Sequence, residues 1–471
     1  MIKDFRRPAL PTQFWSWVLI ALVLLAAAFL GLRASTTWLA LLVAGIGALA
    51  LLQTPRLGVL AIVTVALVVP FTIGTGTEVS LNAVTLLVPA MLVLGALDMV
   101  RRRQIRLVST RASLPLALFL LAGLFSLVFG VITWDPIVPR SNNFLLVQLA
   151  QWGIFALSAG AFWLTANLIG DQTWLRRLTW TFLLIAGSVA ILGALPGIGN
   201  FPSRFTTIAF IRAPLWVLLF GLAGGQLLFN RNLTNGARLF LLAVLAAVLV
   251  YAFVQQQEAA SNWVGIAVTF ALLIWLRFPR FRWMLVVAIV MLAALGVLFP
   301  AVYNFAGGDA EWHESGGSRL VLTQRVIDVT MRNPITGLGP AAYRRYAAMT
   351  PLRYQGANWT LPEVNSHNNY VDLFSQVGIV GLVLFFWFAA EIALLGRRLH
   401  ARYTRGFASG YVNGMLAVGV GALVLMVFAD WLLPFVYNIG FPGFQASVLV
   451  WLFLGGLVAL EHMPQPISSE Q

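Results

Sequence analysis

Histidine is the side chain best poised to take or give a proton near neutral pH, and the chain has 4 of them. His400 sits among Arg397, Arg398 and Arg402 and reads as a surface residue, and His462 lies in the C-terminal tail. His313 begins a long polar segment. His367 stands in Asn365-Ser366-His367-Asn368-Asn369-Tyr370, just before an apolar run that starts near Ser375. Polar neighbours at the mouth of a membrane span can hold an imidazole in one tautomer, which suits a general base. The same place also suits a capping or interface residue at a helix N-terminus, and spacing alone leaves these readings open.

Arginines supply the second kind of chemistry. Arg204 and Arg212 flank the start of an apolar run, with Arg212 at its edge or inside it. An arginine at membrane depth costs about 2.5–3.5 kcal/mol on insertion scales, so it needs a partner. The guanidinium fork matches phosphate oxygens, and a lipid diphosphate headgroup would be such a partner. Snorkelling to the interface is the simpler alternative. Arg319 opens a helical pattern, where the helix N-terminus adds its own preference for anions. Asp430, followed by Trp431, is either a functional carboxylate or an arginine's ion-pair partner. Asp309-Ala310-Glu311 is a weak divalent-cation signal, and no zinc-protease helix, nucleophile elbow or Gly-rich phosphate loop is present. With 0 cysteines, disulfides and thiolate chemistry are excluded.

The elements that position these residues follow from composition. The 471 residues are 60% hydrophobic and 10% charged, against about 25% charged in soluble domains. A bilayer is the natural solvent for such a chain, and the fold class is all-α and polytopic. At about 20 apolar residues per crossing, the runs give about fourteen transmembrane helices. They lie near Phe14–Leu32, Thr37–Leu52, Gly58–Ile73, Leu81–Met99, Ser113–Thr133, Phe144–Leu168, Leu178–Leu195, Phe210–Phe229, Leu239–Gln255, Ala260–Leu276, Trp283–Tyr303, Ser375–Gly396, Tyr411–Leu433 and Gln445–Leu460. The first reads as an uncleaved anchor rather than a signal peptide.

The net charge of +14 does not point to nucleic acid, because the arginines sit in short gaps between apolar runs. With the N-terminus in the cytoplasm, most of the 30 basic residues fall in cytoplasmic gaps, including Arg101, Arg102 and Arg103 and Arg397 to Arg405. That asymmetry orients the chain with both termini cytoplasmic. One long segment, residues 304–374, then lies outside the cytoplasm between a bundle at 1–303 and C-terminal spans with a short tail at 375–471. It holds an amphipathic helix near Ser318–Arg332, an Asn333-Pro334 stop, a turn at Gly337–Gly339 and a short helix near Ala341–Met349. About 70 residues is too long for a passive connector, so the segment is expected to carry function.

His367-Asn368, nine residues, then Gly378, two residues and Gly381 resembles the signature of the O-antigen ligase and polymerase superfamily. Ser318-Arg319 at a helix start and Asn333-Pro334-Ile335-Thr336-Gly337-Leu338-Gly339 are similar to the stretch that precedes it there. The resemblance covers about 65 residues; elsewhere it is mostly hydropathy. It implies a metal-independent membrane glycosyltransferase without cofactor, placed in the bacterial inner membrane for cell-envelope or lipopolysaccharide synthesis. The donor would be a glycan on undecaprenyl diphosphate, and the acceptor a lipid A-core sugar, a second lipid-linked glycan or a protein hydroxyl. By the same resemblance His367 is the base on the acceptor hydroxyl. Arg319 and one of Arg204 and Arg212 bind the diphosphate, and Asn368, Tyr370, Gly378 and Gly381 support the loop. One departure stands out. Where many members carry Ser-Arg, this chain reads Glu258-Ala259-Ala260-Ser261-Asn262-Trp263.

The competing reading is a lipid-linked oligosaccharide flippase or other transporter. It would place charge near span centres and show repeats, and neither is visible here. A metal-dependent transferase using Asp309 and Glu311 is a third.

Overall fold

The structure is a computed structural model, which describes residues 54–76, 79–103, 107–197, 206–256, 260–296, 304, 317–349, 353–354, 357–358 and 366–464. The first two expected spans, Arg204, His313 and Asp309-Ala310-Glu311 lie outside them. The chain divides into two units, Met1–Leu57 and Gly58–Gln471, and apart from the first residues of the helix that begins at Pro55 everything below concerns the second.

It is an all-α polytopic membrane protein. Among the described residues its helices are α1 (Pro55–Val68), α2 (Ala83–Arg102), α3 (Ser113–Ile132), α4 (Phe144–Leu168), α5 (Gln172–Ala194), α6 (Ala213–Phe229), α7 (Asn235–Val250), α8 (Ala260–Arg277), α9 (Arg282–Ala294), α10 (Gly317–Thr330), α11 (Tyr343–Ala347), α12 (Asn369–Arg402), α13 (Gly406–Leu425) and α14 (Gly440–His462). Among the described residues, 8 helices are long and apolar enough to cross a membrane, or 9 if the bent pair α8–α9 is one span. Among the described residues, strand is confined to two short antiparallel pairs, Thr72–Gly74 with Ser80–Asn82 and Arg353–Tyr354 with Ala357–Asn358.

Local chemistry sets several helix starts. Asn82 and Thr85 form a reciprocal capping box for α2, and the Asp171 carboxylate accepts the Trp174 N–H to start α5. Tertiary position is read from which faces are covered. α14 is apolar all round and buried along nearly its whole length, so it occupies the centre of the bundle. α9 instead exposes Val287, Val290, Met291 and Leu292, the surface expected of a helix whose solvent is lipid.

Where helices meet most closely, small residues allow it. Gly221 and Gly225 of α6 face Gly410 and Gly414 of α13. A Cβ on Gly225 would come within 2.7 Å of the Gly414 Cα, and one on Gly414 within 2.6 Å of the Gly221 carbonyl. Lipid gives no hydrophobic drive between helices, so dispersion at this spacing and the absence of side-chain bulk hold the pair.

Two helices are trimmed relative to the spans that hydropathy suggests, one at its end and one at its start. α13 stops at Leu425, and residues 426–439 form an irregular strap before α14. α6 starts at Ala213, preceded by a 3-10 turn at Ile208–Ile211, which places Arg212 just outside the helix rather than within it.

Candidate active site

The site is built on the loop helix α10. Its Val326 and Val329 join Trp134, Val138, Phe144, Leu338, Ala342, Tyr343, Tyr346 and Ala347 in a small core beyond the spans. Trp134 packs on Phe144 at 5.1 Å and on Tyr346 at 4.9 Å between ring centroids. The Asp135 N–H donates to the Tyr346 hydroxyl at 3.2 Å, and Arg332 pairs with the Asp135 carboxylate at 2.9 Å. That pair is exposed and adds little stability itself. The aromatic packing fixes α10 and α11 over the ends of α3 and α4.

From α10 the chain runs through Asn333–Gly339 into a break in α12. Gly378 has φ +64° and ψ −170°, outside helical space. The break opens the helical bond that Ile379 N–H would make to Ser375 O. Ile379 N–H donates instead to Pro334 O at 2.9 Å, and Ser375 O accepts from Leu338 N–H at 2.8 Å. Both halves of the opened bond thus find partners in the loop, as groups buried at this depth must. Val380 N–H adds a bond to Ile335 O at 3.3 Å. Gly337, at φ +80°, lies so close that a Cβ would meet the Gly378 nitrogen at 2.6 Å. On the other side Gly130 of α3 abuts the Leu338 carbonyl, and Ser126 donates to Gln376 O at 2.5 Å. The two glycines of the expected signature act differently. Gly378 makes the break, and Gly381 leaves room for Val377 one turn back.

His367 sits in the turn that leads into α12, with φ +51°. A non-glycine residue rarely adopts this left-handed geometry, and its neighbours enforce it. Buried Asp372 accepts from Ser366 N–H at 3.3 Å and from its hydroxyl at 2.8 Å. The Ser366 hydroxyl accepts from Asn368 N–H at 3.1 Å. Asn368, not His367, is the N-cap: its side-chain oxygen accepts from Tyr370 N–H at 3.1 Å and Val371 N–H at 3.3 Å. His367 is therefore not the N-cap. The Tyr370 hydroxyl donates to Leu423 O at 2.6 Å and its ring stacks on Phe386.

Asn369 ties this turn to the strap. It receives Leu433 N–H at 3.0 Å and donates to Leu433 O at 2.8 Å, while its own N–H reaches Met426 O at 2.7 Å. Asn369→Ala leaves both Leu433 groups without partners. We expect a loss of about 1–3 kcal/mol, read as a lower unfolding temperature of the detergent-solubilised protein. An unchanged transition would show that the strap holds without it.

His367 lies within electrostatic reach of Arg319. Burial, and next the Arg319 guanidinium, push the His367 pKa down to about 4. The ring is neutral at pH 7 and its lone pair is available. Nearby, burial pushes the Tyr343 hydroxyl up, with Arg325 opposing and Asp372 adding to the shift. Arg325 and Asp372 therefore belong to the same charged neighbourhood.

Arg212 meets the strap at Trp431 and Asp430. Its guanidinium lies over the Trp431 ring at 5.8 Å. Burial lowers its pKa, and the Asp430 carboxylate opposes that shift. Asp430 is buried and accepts from Phe435 N–H and the Asn438 amide, both at 2.6 Å. Arg212 Nε and Trp431 Nε1 are buried donors without a hydrogen-bond acceptor among the described residues. A cleft of about 360 Å³ opens at the 3-10 turn that precedes Arg212, lined by Thr206, Thr207, Phe210, Trp216, Tyr251 and Gln255 among others; neither Arg212 nor Trp431 lines it. His367 with Arg319 and Arg212 with Asp430 thus lie at one end of the bundle, joined through Asn369 and the strap.

Sequence reasoning missed Asp372, Asn369, Ser366 and Arg325. The only signal was their density of polar side chains beside an apolar run.

Residues 243–386 match the family model described as O-Antigen ligase, which bears out the resemblance to the O-antigen ligase and polymerase superfamily. The matched segment takes in α10, the Asn333–Gly339 stretch, His367 and Gly378; Arg204 and Arg212 lie before it. No curated protein matches the chain.

Proposed function

We propose that this membrane protein, whose residues 243–386 match the O-antigen ligase family model, moves a glycan from undecaprenyl diphosphate to an acceptor hydroxyl. The observation that carries this reading is a neutral, mostly buried imidazole fixed at a span mouth beside a loop arginine. The acceptor oxygen attacks the anomeric carbon opposite the diphosphate. Its proton passes to His367, the bond from that carbon to the diphosphate oxygen breaks, and the diphosphate leaves with the electron pair. The configuration inverts. Arg319 and Arg212 offset the charge that grows on the leaving group, and Arg204 stands as a further candidate from the sequence. In this reading the site faces away from the cytoplasm in a bacterial inner membrane, and guanidinium groups do the work of a divalent cation.

Holding the base at low pKa has a consequence. In the free enzyme Arg319 disfavours the imidazolium. A bound diphosphate cancels part of that field and raises the His367 pKa, so basicity grows where the donor is present. The acid limb of kcat/KM, which reports the free enzyme, is expected near the pKa of about 4 rather than at the ordinary histidine value. The limb of kcat is expected at higher pH. Arg319→Gln removes the opposing charge, so the kcat/KM limb should move up while burial still keeps it below the ordinary value. A limb at the ordinary histidine pKa in both proteins would contradict the coupling. EDTA leaves turnover intact if arginines replace the cation, and abolishes it if a metal is required.

A further inference from the structure

The end of the bundle remote from His367 carries a second polar site. A cleft of about 370 Å³ opens between the approach to α3 and the ends of α12 and α14, lined by Ser109, Thr110, Arg111, Arg398, Glu461 and His462. His367 and Arg398 flank the two ends of α12, so at 1.5 Å per residue on the order of 40 Å separates the sites.

The walls of the cleft are held in place. Val108 N–H donates to the Asn167 side chain at 2.7 Å, and Ser113 N–H to Thr110 O at 3.1 Å. The Ser113 hydroxyl accepts from the Trp163 indole at 3.2 Å. Across the cleft Arg398 pairs with Glu461 at 3.1 Å, and Arg402 donates to Glu461 O at 2.8 Å and Met463 O at 2.9 Å. Arg111 is exposed at the wall of the cleft.

Charge and donor count define the ligand. Two guanidinium groups and one carboxylate leave the cleft with one net positive charge, and Arg402 adds another behind it. Glu461 disfavours a multiply charged anion. A phosphodiester carries one negative charge, two free oxygens for a guanidinium fork and ester oxygens for hydroxyl donors. The cleft lies where three spans end, the depth of the headgroup layer, and basic pockets between span ends bind anionic headgroups.

We propose that this cleft binds the phosphodiester headgroup of an anionic membrane phospholipid, with Arg111 and Arg398 on the phosphate and Ser109 and Thr110 on its ester oxygens. Such a lipid joins α3 to α12, the two helices that clamp the Asn333–Gly339 stretch at their other ends.

The test is native mass spectrometry of the full-length protein, titrated separately with phosphatidylglycerol, phosphatidylcholine and inorganic phosphate. Wild-type protein should retain one phosphatidylglycerol most tightly, in preference to phosphatidylcholine. Exposed Arg111→Gln should weaken that retention roughly fivefold, and Arg111→Gln with Arg398→Gln on the order of 25-fold, at about one arginine's worth of lipid attraction each. Arg212→Gln should leave it unchanged. Equal retention by the double variant, loss in Arg212→Gln instead, or displacement by millimolar inorganic phosphate would overturn the assignment.

Discussion

His367→Ala should lower the turnover of glycan transfer by about 10²–10⁴-fold, the range that general-base help supplies. KM for the lipid-linked donor should change little, because Arg319 and Arg212 remain. Alanine tolerates the left-handed turn at φ +51° poorly, so a structural loss has to be separated from a chemical one. His367→Asn does this. Asparagine visits the left-handed region readily, yet its amide accepts no proton near neutral pH. The account expects the asparagine variant to unfold at nearly the wild-type temperature and to be as slow as the alanine variant. A fast asparagine variant would mean that the imidazole serves the turn and not the reaction.

Gly378→Ala should be the most damaging single methyl group in the described chain. A Cβ there would overlap the Ile335 carbonyl and come within 2.6 Å of the Gly337 nitrogen. The φ of +64° with ψ of −170° is also essentially reserved for glycine, at about 1–3 kcal/mol of strain for other residues. The strain and the overlap together put the expected loss above about 3 kcal/mol. The loop would lose its seat in α12, and transfer with it. Gly381→Ala is the comparison. Its Cβ would meet only the Val377 side chain of the same helix, so a smaller loss of about 1–3 kcal/mol is expected from overpacking. The readout is the unfolding temperature of the monodisperse detergent-solubilised protein. Equal stability of the two variants would contradict the locked break.

Much of this architecture was legible from hydropathy. The run at Phe144–Leu168 coincides with α4, and the expected loop helix at Ser318–Arg332 is α10 at Gly317–Thr330. The turn glycines Gly337 and Gly339 do take positive φ. Hydropathy failed where an apolar sequence is not helical. Met426–Leu433 continues the apolar pattern of α13, so the run to Leu433 reads as one span. The chain turns aside because Asn369 satisfies the Leu433 backbone, Asp430 accepts the Phe435 N–H, and Gln151 bonds Pro434 O and Val436 N–H. Each partner except Asp430 is distant in sequence, and no local pattern reveals it. Asp430 was noticed as an awkward acid, but not as an acceptor for its own strap.

The site shows the same division. His367 and Arg319 stood out because their residue types and positions are rare in such a chain. Asp372, one turn into an apolar helix, looks like an ordinary first-turn acid until Ser366 folds back onto it. Arg212 was suspected of lying inside a span. The 3-10 turn at Ile208–Ile211 ends the helix short of it and aims its guanidinium at Trp431 and Asp430.

The most direct test of the proposed chemistry is a product analysis with the purified protein in proteoliposomes, supplied with lipid-linked glycan labelled in both glycan and lipid. The account predicts that glycan label moves to an acceptor hydroxyl while an equal amount of undecaprenyl diphosphate appears, and that both signals vanish together in His367→Asn. Lipid label crossing the bilayer with its glycan still attached, and no free undecaprenyl diphosphate, would contradict it.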